Sequence, residues 1–465
     1  MTEHHTLSLW LDGLAGSLEP RPALAGDADV DVAIVGGGFT GLWTAYYLTR
    51  IDPGLRIMVI EREICGFGAS GRNGGWCVGE LAATVDTYTR RAGLDAAVRL
   101  ARAVFDAVDE VGRVARAEGI ECGYAKGGTV RLARNAPQAH RQREEVRLDH
   151  ELGFTSDEIR LLSADEARAL VGATEVRGGI HFAPSAALDP GRLVRGLADV
   201  VQRRGVAVVE QTSALSIEPG RVLTDRGTVR AEIVVRATEA YTRDLAGERR
   251  SLIPVYSLMI ATEPLGPQVW EEIGLLDRPT FADDRYMVIY GQRTSDDRIA
   301  FGGRGVPYLF GSRIDPAIER RSSSHHLIRQ TLVELFPVLA SAEITHRWGG
   351  VLAIPRDWTP GVCFDRAAGL AVAGGYVGEG VAASNLAGRT LAELVTARVT
   401  ERTGLPWVGA RSRRWEPEPL RWLGVRASRR IMAGADDIEF RTQTEARRSI
   451  WLAQLLRRGR DVRHR

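Results

Sequence analysis

Residues 31–61 have the sequence DVAIVGGGFTGLWTAYYLTRIDPGLRIMVIE, and this stretch predicts a complete βαβ unit. Residues 31–35 form a short run rich in Val and Ile, typical of a strand buried on both faces. In residues 42–50 the bulky side chains recur at helical spacing, and residues 56–60 form a second apolar run. A strand, a helix and a strand in this order indicate two parallel neighbouring strands joined by a crossover helix.

Three glycines lie between the first strand and the helix, with the spacing G-x-G-x-x-G. Gly36 allows the tight turn, Gly38 lets the backbone approach a pyrophosphate, and Gly41 lets the helix pack against the strand. Glu61 ends the second strand 20 residues after Gly41, where its carboxylate would accept hydrogen bonds from a ribose diol. The unit therefore predicts a dinucleotide site, and a carboxylate at this strand end disfavours NADP.

Composition narrows the class of protein without naming its function. A chain of 465 residues with 44% hydrophobic and 26% charged residues is typical of a globular enzyme with two or more domains. The four cysteines form no C-x-x-C motif, so we expect reduced thiols, with no metal site and no disulfide framework. The N-terminus lacks the features of a signal peptide, and no apolar run approaches about 18 residues. We therefore expect a cytoplasmic protein with no membrane contact.

The C-terminal end of the chain is basic. Residues 411–465 contain 15 Arg against 7 Asp or Glu, a net charge of +8. Such a tail can contact nucleic acid or another acidic partner. Apolar residues are interleaved with the arginines, which favours helices that pack on the body and makes a nucleic-acid partner unlikely; they include Trp415, Leu420, Trp422, Leu423, Ile431, Trp451, Leu452 and Leu455.

Three separated motifs resemble the D-amino acid oxidase-like superfamily of FAD-dependent oxidoreductases. They are EREICGFGASGRNGGW (residues 61–76), VVRATEAYT (residues 234–242) and GLAVAGGYVGEGVAASNLAGRTLAEL (residues 369–394). Within the superfamily they are most similar to the γ-glutamylputrescine oxidase-like branch. The resemblance implies that the dinucleotide is FAD.

The same resemblance implies a two-domain fold of mixed α/β and α+β character, like that of glycine oxidase. A discontinuous Rossmann-like FAD-binding domain would comprise residues 1–90, 181–250 and 345–401. An antiparallel-sheet substrate domain would comprise residues 91–180 and 251–344, and residues 402–465 would form a basic helical C-terminal extension.

Roles carried over from the family describe a string of cofactor contacts. Phe39, Thr40 and Arg62 flank the motif glycines and Glu61. The flavin would be lined, from its diphosphate toward its ring, by Ala69, Ser70, Arg72, Asn73, Gly74, Gly75 and Trp76. Further contacts would come from Ala214, Ala237 and Thr238, and near the flavin pyrimidine from Val377, Gly378, Glu379, Gly380 and Val381. Glu239 stands where this branch commonly has Asn.

The resemblance implies that hydride passes from a carbon bearing an amine to FAD, giving an imine that water hydrolyses. The reduced flavin would return its electrons to O2 or to another acceptor, and either an oxidase or a dehydrogenase fits. Two alternatives stay open. One is a flavin dehydrogenase that acts on a hydroxy acid or on a carrier- or tRNA-bound amine, and the other is a flavin-binding protein without turnover.

Candidate substrate contacts follow from adjacency to the motifs. They are Trp76, Tyr286, Tyr290, Arg304, Trp348 and Glu379. The aromatic side chains could surround an alkylammonium, and Glu379 or Glu239 could pair with a distal cation. The competing interpretation of each aromatic residue is core packing, and that of Arg304 is a structural ion pair.

Lysine is almost absent from the chain. Sarcosine oxidase-like relatives hold the substrate carboxylate with a lysine where this sequence has Ala382, and Lys126 is the only lysine present. The position that matches their flavin-linking cysteine falls near Gly349, and Cys363 lies further along the chain. We therefore expect FAD to be bound non-covalently.

Overall fold

The computed structural model describes residues 4–14, 18–80, 82–83, 85–303 and 308–446. Among these residues, no helix is long and apolar enough to cross a membrane. The strands in chain order are β1 (Ala28–Val35), β2 (Ile57–Ile60), β3 (Trp76–Val78), β4 (Thr129–Ala133), β5 (Ile159–Leu162), β6 (Gly178–Phe182), β7 (Ser185–Ala187), β8 (Ala207–Val209), β9 (Ala214–Glu218), β10 (Arg221–Thr224), β11 (Gly227–Arg236), β12 (Leu252–Thr262), β13 (Thr280–Asp283), β14 (Ile289–Arg293), β15 (Ile299–Gly303), β16 (Ile344–Pro355), β17 (Gly361–Asp365) and β18 (Leu370–Gly374).

The helices carry the longer amphipathic patterns of the sequence. They are α1 (Leu9–Asp12), α2 (Phe39–Ile51), α3 (Val85–Ala92), α4 (Leu94–Ala117), α5 (Ala136–Glu151), α6 (Ala164–Leu170), α7 (Pro190–Arg203), α8 (Pro267–Ile273), α9 (Pro316–Arg321), α10 (Ser324–Leu335), α11 (Gly380–Val395) and α12 (Leu420–Thr442). At the start of α7, the Asp189 side chain accepts the Arg192 N–H, and Pro190 takes a first-turn position where no amide hydrogen is needed.

The first sheet is built around the βαβ unit. Its strand order is β17-β18-β11-β1-β2-β8, and β1 pairs in parallel with both β11 and β2. The last four residues of β1 and all of β2 are buried, as expected for strands covered on both faces. The predicted βαβ unit is therefore present, with α2 as its crossover helix.

The second sheet has the order β16-β12-β15-β14-β13-β4-β6-β5. Its pairing is antiparallel, as predicted, except between β13 and β4, which run parallel. β16, which includes the start of the predicted cofactor-domain range 345–401, lies beside β12 along its whole length. The sequence of β16 does not indicate its partner, because contacts distant in sequence select a neighbouring strand.

Each sheet has its own apolar core. Trp43 and Tyr46 of α2 are buried with Leu100 of α4 and Leu391 of α11 against the first sheet. Phe281, Phe301 and Phe336 lie in the core of the second sheet. The short β3 pairs with β7 in a third, two-stranded sheet, which follows the loop after β2.

The predicted C-terminal extension is helical at Leu420–Thr442, whereas residues 405–419 form no helix, and part of its apolar pattern packs on the body. Trp415 is buried, and Trp422 packs against the same cluster. Leu420 and Leu423 are 62% and 53% exposed, so the expectation that they also pack is wrong. They lie in α12 on the side that faces away from the body. Trp451, Leu452 and Leu455 fall outside the described residues.

Candidate active site

A cavity opens at the carboxyl ends of β1, β2 and β11, where these parallel strands stop side by side. Ligands of open α/β sheets bind at this edge. The predicted cofactor residues that line the cavity are Gly36, Gly38, Phe39, Thr40, Glu61, Arg62, Ala69, Ser70, Asn73, Ala214, Ala237, Thr238, Gly378, Gly380 and Val381. The fold thus brings together residues from five separate stretches of the sequence.

The turn after β1 has no room for side chains at two of the motif glycines. Gly36 has φ +113°, and a Cβ atom there would lie 2.4 Å from the Ala237 carbonyl oxygen. A Cβ atom at Gly41 would lie 2.1 Å from the Gly36 carbonyl oxygen. Both distances are shorter than any non-bonded contact allows, so the close approach of β11 and α2 to this turn requires glycine.

The first turn of α2 faces the cavity. The Phe39 N–H donates to Ser70 Oγ over 2.9 Å, which ties the loop at residues 69–71 to the start of the helix. Thr40 Oγ1 and the Tyr376 hydroxyl are 2.9 Å apart, which links the helix to the turn before α11. The unpaired N–H groups at a helix N-terminus favour negative charge, so this end of the cavity fits a pyrophosphate.

Glu61 is held by backbone groups at the end of β2. Its carboxylate accepts the Gly37 N–H over 2.7 Å and the Glu63 N–H over 3.0 Å. Burial raises the pKa of this carboxyl, while the two backbone donors oppose the shift. The side chain is therefore oriented before any ligand arrives, with lone pairs left for a diol.

Glu239 is a second carboxyl group in the cavity. Its Oε2 accepts the Gly375 N–H over 2.9 Å, and its backbone has φ +40°, an uncommon conformation for a residue with a side chain. Burial raises the pKa of Glu239 to about 7. The carboxyl thus joins the end of β11 to the glycine turn after β18.

Arg72 does not line the cavity. Its guanidinium forms a buried ion pair with Glu319 at 2.5 Å and also donates to the Phe67 carbonyl and the Tyr241 hydroxyl. Burial raises the pKa of Glu319, and the neighbouring guanidinium partly offsets this shift. In this structure, Arg72 therefore supports the loop that carries Ala69 and Ser70.

The segment at residues 74–76 lies against β14 of the second sheet. Gln292 Nε2 donates to the Gly74 carbonyl over 2.7 Å, and Trp76 Nε1 donates to the Gly291 carbonyl over 3.2 Å. The rings of Trp76 and Tyr290 meet edge to face with centroids 5.8 Å apart. Trp76 and Tyr290 therefore form a pair where the two-stranded β3–β7 sheet meets β14 of the second sheet.

Trp348 is buried behind this segment. Its Nε1 donates to the Arg72 carbonyl over 2.9 Å, and its ring packs edge to face on Trp10 at 6.1 Å. Trp10 in turn donates to the Asn73 carbonyl over 2.7 Å. At 1% exposure Trp348 packs as a core residue, the competing interpretation of the sequence.

The remaining candidate substrate residues are dispersed. The Tyr286 hydroxyl donates to Glu439 of α12 over 3.2 Å. The Arg141 guanidinium lies over the Tyr286 ring, 4.8 Å from the ring centroid. Glu379 is the residue before α11, and its N–H donates to the Tyr376 carbonyl. Arg304 falls outside the described residues. Gly41, Gly74, Gly75, Trp76, Val377 and Glu379 adjoin the cavity in sequence without being part of its described lining.

Neither Lys126 nor any of the four cysteines is part of the described cavity lining. Lys126 Nζ pairs with Asp109 at 2.5 Å and is 44% exposed. Ala382 is buried in α11. The Cys363 Sγ donates to the Ala410 carbonyl.

Sequence reasoning named no role for several side chains that line the cavity. Tyr241 and Tyr376 are two of these, and Arg62 stacks on the Tyr241 ring at 4.8 Å. Both tyrosines lie inside the motifs VVRATEAYT and GGYVGEG, so position in a motif could have identified them. Val351 and Leu352 line the cavity because β16 crosses it, and the sequence carries no local sign of that.

Comparison with known proteins supports one family. The family model described as "FAD dependent oxidoreductase" matches residues 31–394. The chain is 30% identical over 402 residues to γ-glutamylputrescine oxidoreductase of Escherichia coli (strain K12), covering 85% of this chain and 90% of that protein. It is 25% identical over 379 residues to glycine oxidase of Geobacillus kaustophilus (strain HTA426), covering 80% of this chain and 94% of that protein.

Solved structures show the same fold. The crystal structure of glycine oxidase from Geobacillus kaustophilus superposes with a TM-score of 0.68 at 22% identity, covering 80% of this chain and 96% of that chain. That of L-proline dehydrogenase from P. horikoshii has a TM-score of 0.65 at 20% identity, with 80% and 94% coverage. The glycine turn, the prepared Glu61 and the helix N-terminus fit a bound flavin dinucleotide. The chain therefore belongs to the family of FAD-dependent oxidoreductases.

Proposed function

We propose that the protein oxidises a C–N bond of an amine or amino acid and that the resulting imine is hydrolysed by water. The observation that carries this proposal is the position of the Trp76–Tyr290 pair, directly after the loop that lines the dinucleotide cavity. We infer that an organic substrate approaches the cofactor from this side. The names of the two enzymes compared above, a glutamylputrescine oxidoreductase and a glycine oxidase, support a C–N bond as the target.

Bound FAD supplies the hydride acceptor, and the protein supplies position and environment. We assign the pyrophosphate to the first turn of α2, the ribose diol to Glu61 and the adenine to the strand end at Ala214. Residues 377–381 would lie at the flavin pyrimidine, where the N-terminus of α11 stabilises negative charge. We propose that these contacts hold the cofactor without a covalent bond; none of the cysteines is part of the described cavity lining.

The substrate side would be formed by aromatic and hydroxyl groups. Tyr290 packs on Trp76, and its hydroxyl is 2.6 Å from Ser257 Oγ. A neutral amine could accept a hydrogen bond from this hydroxyl pair while the aromatic faces exclude water. Loss of a proton from the amine before oxidation is favoured in such surroundings, because burial disfavours the ammonium form.

The scarcity of lysine bears on how the substrate is recognised and on which electron acceptor reoxidises the flavin. With Ala382 in α11 and Lys126 paired to Asp109, no lysine lines the described cavity to hold a substrate carboxylate. We therefore propose an amine substrate whose recognition does not depend on a lysine-bound carboxylate. The electrons would leave through O2, forming H2O2, or through another acceptor. We also propose that the protein resides in the cytoplasm and has no nucleic-acid partner.

Anaerobic mixing with a panel of amines tests the proposal directly. Purified holoprotein is mixed with polyamines, ω-amino acids, D-amino acids and N-methyl amines, and flavin absorbance is followed. Bleaching by one class identifies the substrate, and the rate of recovery in air separates an oxidase from a dehydrogenase. If hydroxy acids bleach the flavin and no amine does, the proposed C–N chemistry is wrong.

A further inference from the structure

A C-terminal strap, residues 415–442, lies beyond the part of the chain that matches the family model, which ends at residue 394. It begins at Trp415, whose N–H donates to the Arg250 carbonyl over 2.7 Å. Trp415 Nε1 donates to the Ile354 carbonyl of β16 over 2.9 Å. The start of the strap is thus bound to the second sheet through buried, directional contacts.

The next part of the strap packs beside the turn that precedes α11. Val377 is buried in an apolar cluster with Ile253 and Ile354, and Trp422 and Val425 of the strap pack against this cluster. Val377 has φ +62°, so its backbone is held in an uncommon conformation by its surroundings. The strap therefore supports the segment that we assign to the flavin pyrimidine.

The far end of the strap holds a loop of the second sheet. The Asp436 carboxylate accepts the Tyr286 N–H over 2.7 Å through one oxygen and the Met287 N–H over 2.8 Å through the other. Glu439 accepts the Tyr286 hydroxyl and the Arg141 guanidinium. These bonds fix the connection between β13 and β14 from outside the sheet.

That connection leads directly to the substrate side. β14 begins three residues after Tyr286, and its second residue is Tyr290, which packs on Trp76. A Cβ atom added at Gly74 would lie 2.5 Å from the Tyr290 ring, so the fit between this strand and the loop at residues 74–76 is close. A small shift of β14 would therefore move Tyr290 relative to the flavin.

We propose that the strap is part of the amine site, with Asp436 as a positioning residue that acts through β14 on Tyr290 and Trp422 supporting the Val377 turn. The strap then determines how tightly an amine is held against the flavin and which amines fit. This inference rests on the proposed function.

The test compares two adjacent aspartates of the full-length holoprotein. Asp436→Ala removes both acceptors, whereas Asp437→Ala changes an exposed neighbour on the same helix. FAD content, the melting temperature and anaerobic flavin reduction by the best amine are measured for both. We expect Asp436→Ala to keep its FAD and to raise the apparent Kd for the amine about tenfold, with a changed order of preference in the panel. Asp437→Ala should match the unmodified protein.

A double-mutant cycle with Tyr290→Phe separates positioning from general stability. If Asp436 acts through Tyr290, the effects of the two substitutions on amine Kd are not additive. Additive effects, or an unchanged Kd and preference in Asp436→Ala, would overturn the proposal. Should Asp436→Ala fail to fold, Trp422→Ala takes its place, with the same expected rise in amine Kd.

A readout without substrate distinguishes failure of the strap proposal from failure of the proposed function. If no amine reduces the unmodified protein, the C–N chemistry is refuted, and the strap is still tested by acrylamide quenching of the bound flavin. We expect stronger quenching in Asp436→Ala than in Asp437→Ala, because the loop at residues 284–288 is released. Equal quenching would show that Asp436 does not order the loop beside the amine site, and it would overturn the strap proposal.

Discussion

The indole Nε1 of Trp348 donates a hydrogen bond to the backbone oxygen of Arg72 over 2.9 Å. This bond joins β16 of the second sheet to the loop that carries Ala69 and Ser70 into the cofactor cavity. Through this buried contact, the position of β16 is linked to the position of the loop that lines the cofactor cavity.

Replacing Trp348 with Phe should weaken FAD binding and lower stability. The substitution leaves the Arg72 carbonyl without this donor, which costs about 1–3 kcal/mol when the acceptor is buried. Trp407→Phe is the matched control, because Trp407 is also buried and its Nε1 has no hydrogen-bond partner among the described residues. Urea unfolding and FAD titration measure both effects. A Trp348→Phe protein no less stable than Trp407→Phe, with unchanged FAD affinity, would contradict the role given to this bond.

The Arg72–Glu319 ion pair should be needed for a stable cofactor loop. Removal of one partner from a buried pair costs on the order of 3–5 kcal/mol, because the remaining charge stays in a poorly solvated site. Glu319→Gln keeps one acceptor oxygen, so we expect the lower end of that range in urea unfolding. Glu271→Gln, at an exposed position of α8, should change nothing. A loss below about 1 kcal/mol in Glu319→Gln would mean that the pair behaves as a surface salt bridge.

Glu239 should make stability depend on pH. Its pKa is raised from 4.5 to about 7, so the folded protein binds a proton that the unfolded chain has released. The contribution of this group is therefore fully present below pH 4.5, declines as the pH rises through about 7, and is constant above that.

The same carboxyl should make FAD binding weaker in mild alkali, because an ionised Glu239 adds negative charge to a cavity that receives a pyrophosphate. Glu239→Gln should remove this dependence between pH 6 and 8.5, roughly the range in which a carboxyl shifted in this way would titrate. Glu232→Gln, at an exposed position of β11, should retain it. FAD titration of the apoprotein at several pH values measures the slope, and identical slopes in the two variants would contradict the assignment.

Substitution of Gly41 by Ala should abolish FAD binding. The added Cβ would lie 2.1 Å from the Gly36 carbonyl oxygen, so α2 must move away from the turn that receives the pyrophosphate. Gly434→Ala in α12 is the matched control, since an added Cβ there meets nothing within 4 Å. The control should be as stable as the unmodified protein or about 0.5–1 kcal/mol more stable. The flavin-to-protein absorbance ratio after purification measures the result, and normal FAD content in Gly41→Ala would refute the steric argument.

Local features of the chain were enough to predict the βαβ unit, its glycine turn and Glu61. Strand and helix periodicities and a glycine spacing depend on residues within about 30 positions of one another, so they can be recognised without tertiary structure. The apolar face of α4 is likewise continuous, so local periodicity is enough to indicate this helix.

Only the tertiary structure distinguishes the roles of side chains of the same type. Trp76, Tyr286 and Trp348 are all aromatic residues near a motif, but Trp76 lies between β3 and β14, Tyr286 under α12 and Trp348 in the core. The pairing of β16 with β12 and the docking of the strap through Asp436 also depend on partners tens to hundreds of residues away. Composition and local periodicity do not reveal such contacts. The free energy of these contacts comes from burial and hydrogen bonding that exist only after the chain has folded.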